Sequence, residues 1–148
     1  MIIRPFTPQD GEQTYRLFHD TVHTVNCVDY SPEQLNAWSD GKRYIAQWTH
    51  TFSGRTALVA VENGKIIGFG DITPHGYLDR LYVARGHTGR GVGTALCNVL
   101  EEPFRRVEVY SSITARPFFE GRGYAVVREN VAIRQGVRLK NYFMVKNR

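Results

Sequence analysis

The spacing of apolar residues along the chain switches repeatedly between two periods, and each switch marks an element. Ile2 and Ile3 open a short strand. Thr7-Pro8-Gln9-Asp10 then reads as a helix start, with Thr7 as N-cap, Pro8 at the first helical position and Asp10 at the third. Tyr15, Phe18, Val22 and Val25 recur at helical spacing, which predicts a helix from Pro8 to Val25. Ser31-Pro32-Glu33-Gln34 is a capping box, and Leu35 and Trp38 continue an apolar side as far as Gly41. Trp48 and Phe52 fit either a helical connection or a pocket wall.

The period then shortens to that of strands. Ala57 to Val61 is an apolar run, Asn63-Gly64 is a two-residue hairpin turn, and Lys65 to Ile72 returns antiparallel. Pro74-His75-Gly76 turns the chain into a strand from Tyr77 to Val83. After a glycine-rich loop, Ala95, Leu96, Val99 and Leu100 predict a helix buried on that face and ended by Pro103. Val107 to Tyr110 is a strand, Thr114 is the expected N-cap of a short helix through Glu120, and two last strands, Ala125 to Arg134 and Arg138 to Lys146, flank Gln135-Gly136. The predicted order is β-α-α-β-β-β-α-β-α-β-β, an α/β chain of the α+β mixed-sheet kind. Without a repeat or linker, residues 1–148 read as a single domain.

Composition narrows the class. With 42% hydrophobic and 22% charged residues the chain is that of an ordinary globular protein. No apolar run is long enough to span a bilayer, and MIIRPFTPQD reaches a proline and charges too early for a secretory signal, so a cytoplasmic protein is expected. Cys27 and Cys97 lack CxxC spacing and are expected to be reduced structural thiols. His19 and His23 lie four apart on the first helix, without the third ligand a metal needs. Charge is uneven: residues 1–79 hold 6 Lys/Arg against 9 Asp/Glu, and residues 80–148 hold 13 against 5. The basic half would steer a polyanion toward the loop.

That loop carries the candidate chemistry. Gly89, Gly91 and Gly93, with Arg85 and Arg90 nearby, allow several backbone N–H groups to turn toward one anion at the start of a helix. A pyrophosphate is the expected ligand. The Walker pattern fails because no Gly-Lys-Ser/Thr follows, and G-x-G-x-x-G is left incomplete at Thr94 or Leu96.

In this context the chain resembles the GCN5-related N-acetyltransferase (GNAT) superfamily, with Thr88-Gly89-Arg90-Gly91-Val92-Gly93 at the positions of its Q/R-x-x-G-x-G/A signature. Thr88 departs from the usual Gln or Arg. YSPEQLNAW and SITARPFFEGRGY further resemble small bacterial acetyltransferases of the YafP type. The resemblance implies the GNAT fold with splayed fourth and fifth strands, and acetyl-CoA as co-substrate. It implies that Leu81, Tyr82 and Val83 pair with the pantetheine arm, and that Thr88, Gly89, Arg90, Gly91, Val92, Gly93 and Thr94 wrap the pyrophosphate. The reaction implied is acetyl transfer to a primary amine of a small molecule or protein, by direct attack in a ternary complex.

Such a reaction needs a base for the amine, a donor for the oxyanion and an acid for the thiolate. Asp79, the only acid on the fourth strand, is the expected base, and by strand alternation it shares a face with Tyr77 and Leu81. Asp71 and His75 are alternatives. The resemblance implies the Val83 N–H as oxyanion donor. Phe119 stands where the family places a tyrosine acid, which leaves Tyr82, Tyr110 or water, with Tyr124 a poorer substitute; Tyr82 is the residue chosen. The acceptor site is expected at the first two helices and the Cys27–Tyr30 loop, with His19, His23, Asp29, Tyr30 and Trp38 as lining candidates, and the acidic N-terminal half suits a cationic amine. The alternative is a CoA-binding module with little transferase activity. No metal is called for. Aromatic-basic interleaving is missing, which argues against nucleic acid, and a homodimer is left open.

Overall fold

The dipeptides Asn63-Gly64 (φ 52° and 75°) and Gln135-Gly136 (φ 47° and 76°) both adopt the left-handed conformation of tight hairpins. They fold two pairs of strands back on themselves. The computed structural model, which describes residues Met1–Arg148, builds from these a seven-stranded sheet. Its elements are β1 (Ile2–Pro5), α1 (Gly11–Thr24), α2 (Pro32–Trp38), α3 (Ile45–His50), β2 (Thr56–Glu62), β3 (Lys65–Ile72), β4 (Tyr77–Val83), α4 (Val92–Glu101), β5 (Arg106–Ser112), α5 (Arg116–Gly121), β6 (Ala125–Arg134) and β7 (Val137–Asn147). The strand order is β1-β2-β3-β4-β5-β7-β6, antiparallel throughout except between β4 and β5. This is the mixed α+β architecture expected.

Strand alternation divides the core between the two faces of the sheet. Leu58, Ala60, Ile67 and Val109 pack with Leu96 and Leu100 of α4 and Phe119 of α5, while Val59 and Phe69 pack with Tyr15 and Leu17 of α1 and Trp48 of α3. On β3, a Cβ at Gly68 would lie 2.8 Å from Val92 Cγ1 and one at Gly70 would lie 3.1 Å from Leu100 Cδ1. These two glycines let α4 sit close on the sheet.

Several local expectations change. The first predicted turn of helix is a 3-10 turn, Pro8–Asp10, and α1 starts at Gly11. Asp10 organises that corner: its carboxylate accepts from the Thr7 N–H at 2.8 Å and takes both guanidinium nitrogens of Arg4 at 2.8 and 2.9 Å. The Ser31–Gln34 capping box forms as expected. Trp48 and Phe52 belong to an extra helical connection, α3 and the turn after it, and Trp48 donates from its buried indole to Thr14 Oγ1 at 3.0 Å.

On α4 the buried residues are Val92, Leu96, Cys97, Leu100 and Glu101, whereas Val99 is 50% exposed. The buried stripe is rotated toward Cys97 and Glu101, and the Glu101 carboxylate is held there by accepting from Arg122 at 2.6 Å, Tyr124 at 2.6 Å and Lys146 at 3.0 Å. Thr114 does not cap α5. Ala115 holds that position, and Ser112 Oγ accepts its N–H at 3.0 Å. Cys27 is exposed rather than packed, while Cys97 is fully buried.

Candidate active site

β4 and β5 pair only at Tyr77↔Glu108 and Leu78↔Val109, then part. A bulge in β4 lies where they separate: Ile72 faces Leu78 and Asp71 faces Arg80, leaving Asp79 as the extra residue. A buried ionic group fixes the bulge. Asp71, with no exposed side-chain surface, pairs with Arg80 and with Arg55 at 3.2 Å, and Arg55 reaches Asp79 at 2.6 Å. Arg80 lies over the Phe52 ring at 3.9 Å. The bulge breaks the alternation expected from sequence. Asp79 joins Arg55 and Asp71, while Leu81 packs into the core beneath α4.

The parted strands leave a cavity of about 500 Å³. One end is bounded by the loop and the first turn of α4, the other by Thr21, Val25 and Asn26 from the α1 segment and Trp38 from α2. Of the expected cofactor residues, Leu81, Tyr82, Val83, Thr88, Gly89, Gly91, Val92, Gly93 and Thr94 line it. Arg90 turns away, meeting His87 Nδ1 at 3.0 Å and Glu62 at 3.6 Å. Gly91 (φ 85°) is the N-cap of α4, so the first N–H groups of that helix open onto the cavity. A Cβ at Gly93 would lie 3.2 Å from the Phe118 ring, so α4 and α5 meet closely there. The Ala84 N–H donates to Ile67 on β3, and alternation therefore turns the Val83 N–H toward the edge that β5 has left. The Val83 carbonyl on that edge accepts from Thr21 Oγ1 at 3.2 Å.

Asp79 and Tyr82 both line the cavity. The Tyr82 ring packs against Phe18 and Phe69. Burial pushes its phenol well above the usual tyrosine value, against the opposing effect of a hydrogen bond with Trp38, so it keeps its proton at neutral pH. Tyr110 also borders the cavity, with its hydroxyl accepting from Arg128 at 3.2 Å. Asp71 is enclosed by arginines and His75 is exposed outside the cavity. Phe119 is buried in the core, and Tyr124 donates to Glu101 at 2.6 Å. Among the acceptor-side residues, Trp38 reaches the cavity. Tyr30 is tied into the fold, donating to the Lys140 carbonyl at 2.6 Å and accepting from the Ile113 N–H at 2.9 Å. His19 and His23 bond Ser39, each at 2.7 Å, and Asp29 is exposed.

Sequence reading missed His87, Ser112 and Thr114 as cavity residues. Thr114 had a visible signal, a hydroxyl before a helix, but its Oγ1 is buried with no hydrogen-bond partner. Such a group costs about 1–3 kcal/mol unless a ligand satisfies it.

A model of the Acetyltransferase (GNAT) domain matches residues 27–146. The chain belongs to the GNAT acetyltransferase family. The N-acetyltransferase YafP of Escherichia coli K12, itself uncharacterized, is 32% identical over 142 residues, covering 96% of this chain and 93% of YafP. The structure of a GCN5-related N-acetyltransferase from Rhodopseudomonas palustris superposes with a TM-score of 0.94 at 31% identity, over 99% of this chain and 95% of that one. The GNAT fold extends to the PaiA N-acetyltransferase of Thermoplasma acidophilum, solved with coenzyme A, at a TM-score of 0.76 and 17% identity over 99% and 98% of the two chains. GNAT enzymes use acetyl-CoA as co-substrate, and the features here fit it: a cradle of glycines at a helix start, a free strand edge, and the orphaned Thr114 hydroxyl. No group of three metal-ligating side chains occurs, and no helix is long and apolar enough to cross a membrane.

Proposed function

We propose that this GNAT domain transfers the acetyl group of acetyl-CoA to a primary amine, the amine attacking the thioester directly while both substrates are bound. The observation that carries this is the cavity running from the anion-binding loop, past Asp79 and Tyr82, to the α1–α2 side. One continuous sheet with helices on both faces is the basis for reading residues 1–148 as one catalytic domain.

Acetyl-CoA supplies an activated thioester. The N–H groups of Gly89 to Thr94 hold the pyrophosphate, and the main chain of Leu81 to Val83 pairs with the pantetheine arm as an added strand. Thr114 Oγ1 gains its missing partner from the arm. The Val83 N–H receives the developing oxyanion. Asp79, oriented by Arg55, takes the amine proton, and Tyr82 gives its proton to the departing thiolate. Direct attack agrees with Cys97, whose burial raises its thiol to about 12 and keeps it unreactive.

Phe119 favours a second reading, a CoA-binding module with little turnover, because the usual acid is replaced by a core residue. Calorimetry with CoA and a thiol-release assay across an amine panel separate the two. Binding with release supports the transferase, binding without release supports the module, and no binding at millimolar CoA removes both.

A further inference from the structure

Beside the acceptor end of the cleft lies a second cavity of about 50 Å³, which shares Trp38 and Ser112 with the first. It is about a tenth the volume of the main cavity, a recess on the scale of a small polar group and not of a whole substrate. Arg134 and Lys140 both border it. Lys140 is paired with Glu129 at 3.1 Å. Arg134 has no carboxylate partner, and its guanidinium bonds only the Ile133 carbonyl at 3.2 Å.

The charge of Arg134 is felt at β4. Burial raises the Tyr77 phenol to about 12 and raises that of Tyr82, and the charge of Arg134 works against the rise on both. Along β6, Arg128 and Arg134 share a face by alternation. Arg128 too lacks a carboxylate partner, lying over the Phe143 ring at 4.5 Å. Of the nine acids in the N-terminal half, five are engaged within the fold, while Asp20, Asp29, Glu33 and Asp40 make no ion pair. Asp10 pairs with Arg4, Glu12 with Arg16, Glu62 with Arg90, and Asp71 and Asp79 with Arg55. At the side cavity itself, Arg134 is left as unpaired positive charge.

Resting on the transferase reading, we infer that the acceptor is a small amine that also carries a carboxylate, an amino acid in the broad sense, and that Arg134 binds that carboxylate at the side cavity. A guanidinium suits a planar carboxylate, which it can hold with two parallel bonds.

The test measures thiol release by the whole protein with the standard L-amino acids, each against its amide, and with spermidine and O-phosphoethanolamine. At least one amino acid should show a KM about tenfold below that of its amide. Arg134→Ala should raise the acid's KM to that of the amide, and Arg134→Lys should fall between. Unchanged acetyl-CoA affinity in both variants shows that the fold is intact. Preference for amides or spermidine, or an acid KM indifferent to Arg134→Ala, overturns the assignment. Preference for O-phosphoethanolamine replaces the carboxylate with a phosphate and overturns it as stated. If acetyl-CoA binds but no amine releases thiol, the transferase reading fails separately. The same amino acids are then titrated into CoA-saturated protein, where binding lost in Arg134→Ala upholds the subsite and absence of binding refutes it.

Discussion

At the donor end of the cleft, the segment from Leu81 to Thr94 forms most of the wall, and much of what it presents is main chain: a strand edge, a left-handed Gly91 and the first N–H groups of α4. At the end proposed for the acceptor, the lining is drawn from separate segments, Thr21 and Asn26 after α1's middle, Trp38 of α2 and, in the side cavity, Arg134 of β6, and the proposed recognition is by side chains. A site made of backbone tolerates exchange of many side chains but few changes of conformation. A site made of side chains behaves the opposite way, so acceptor choice can change while donor binding persists.

The sharpest break of this contrast is expected at Asp79, the proposed base. Asp79→Asn should lower kcat on the order of 10²-fold while leaving CoA affinity nearly intact, as read from pH–rate profiles and calorimetry. Next in size is Gly91→Val. A β-branched residue at φ 85° is strained by about 1–2 kcal/mol and displaces the loop's N–H groups, so CoA affinity should fall at least tenfold, together with the melting temperature. Thr114→Val should weaken CoA about tenfold yet leave the free protein as stable or more so, because the hydroxyl has no partner to lose.

The far end of α4 gives a control outside the cleft. Burial opposes ionisation of Glu101, but hydrogen bonds from Arg122, Tyr124 and Lys146 outweigh it and hold the carboxyl below its ordinary 4.5. The stability this contributes is whole above that value and is lost as pH falls through the depressed folded-state pKa. Thermal melts from about pH 6 downward should show a steep acid-side fall in the wild type and a shallower one in Glu101→Gln. The smallest effect belongs to Thr88→Ala, which should change CoA affinity by less than about twofold, since the proposed binding is by the N–H groups of the loop. A larger loss would show that the Thr88 side chain takes part.

The same contrast explains what could be read from sequence. The hairpins, the β3–β4 meander and the glycine loop follow from local rules, and each lies where the spacing of Asn63-Gly64 or Gly89 to Gly93 put it. The bulge at Asp79 was not legible, because it is imposed by Asp71, Arg55 and Arg80 meeting across β3 and β4. Nor was the burial of Glu101, which depends on Arg122, Tyr124 and Lys146 converging from the C-terminal part of the chain. α3 stays open in sequence between a helical connection and a pocket wall, because six residues are too few to show a helical period. Gly68 and Gly70 were a missed signal, since glycines inside a strand often mark close approach of another element.

Most sheets keep their unpaired edges at the perimeter, but the parting of β4 from β5 places two more in the interior of this one. Amide hydrogens on those inner edges, Val83 among them, should exchange quickly with solvent in the free enzyme and slowly once CoA lies between them. The co-substrate then has a second consequence besides chemistry. By closing a slot wide enough for one extended chain, it denies that slot to stray peptide strands, and protein kept loaded with CoA should resist aggregation on storage better than protein kept bare.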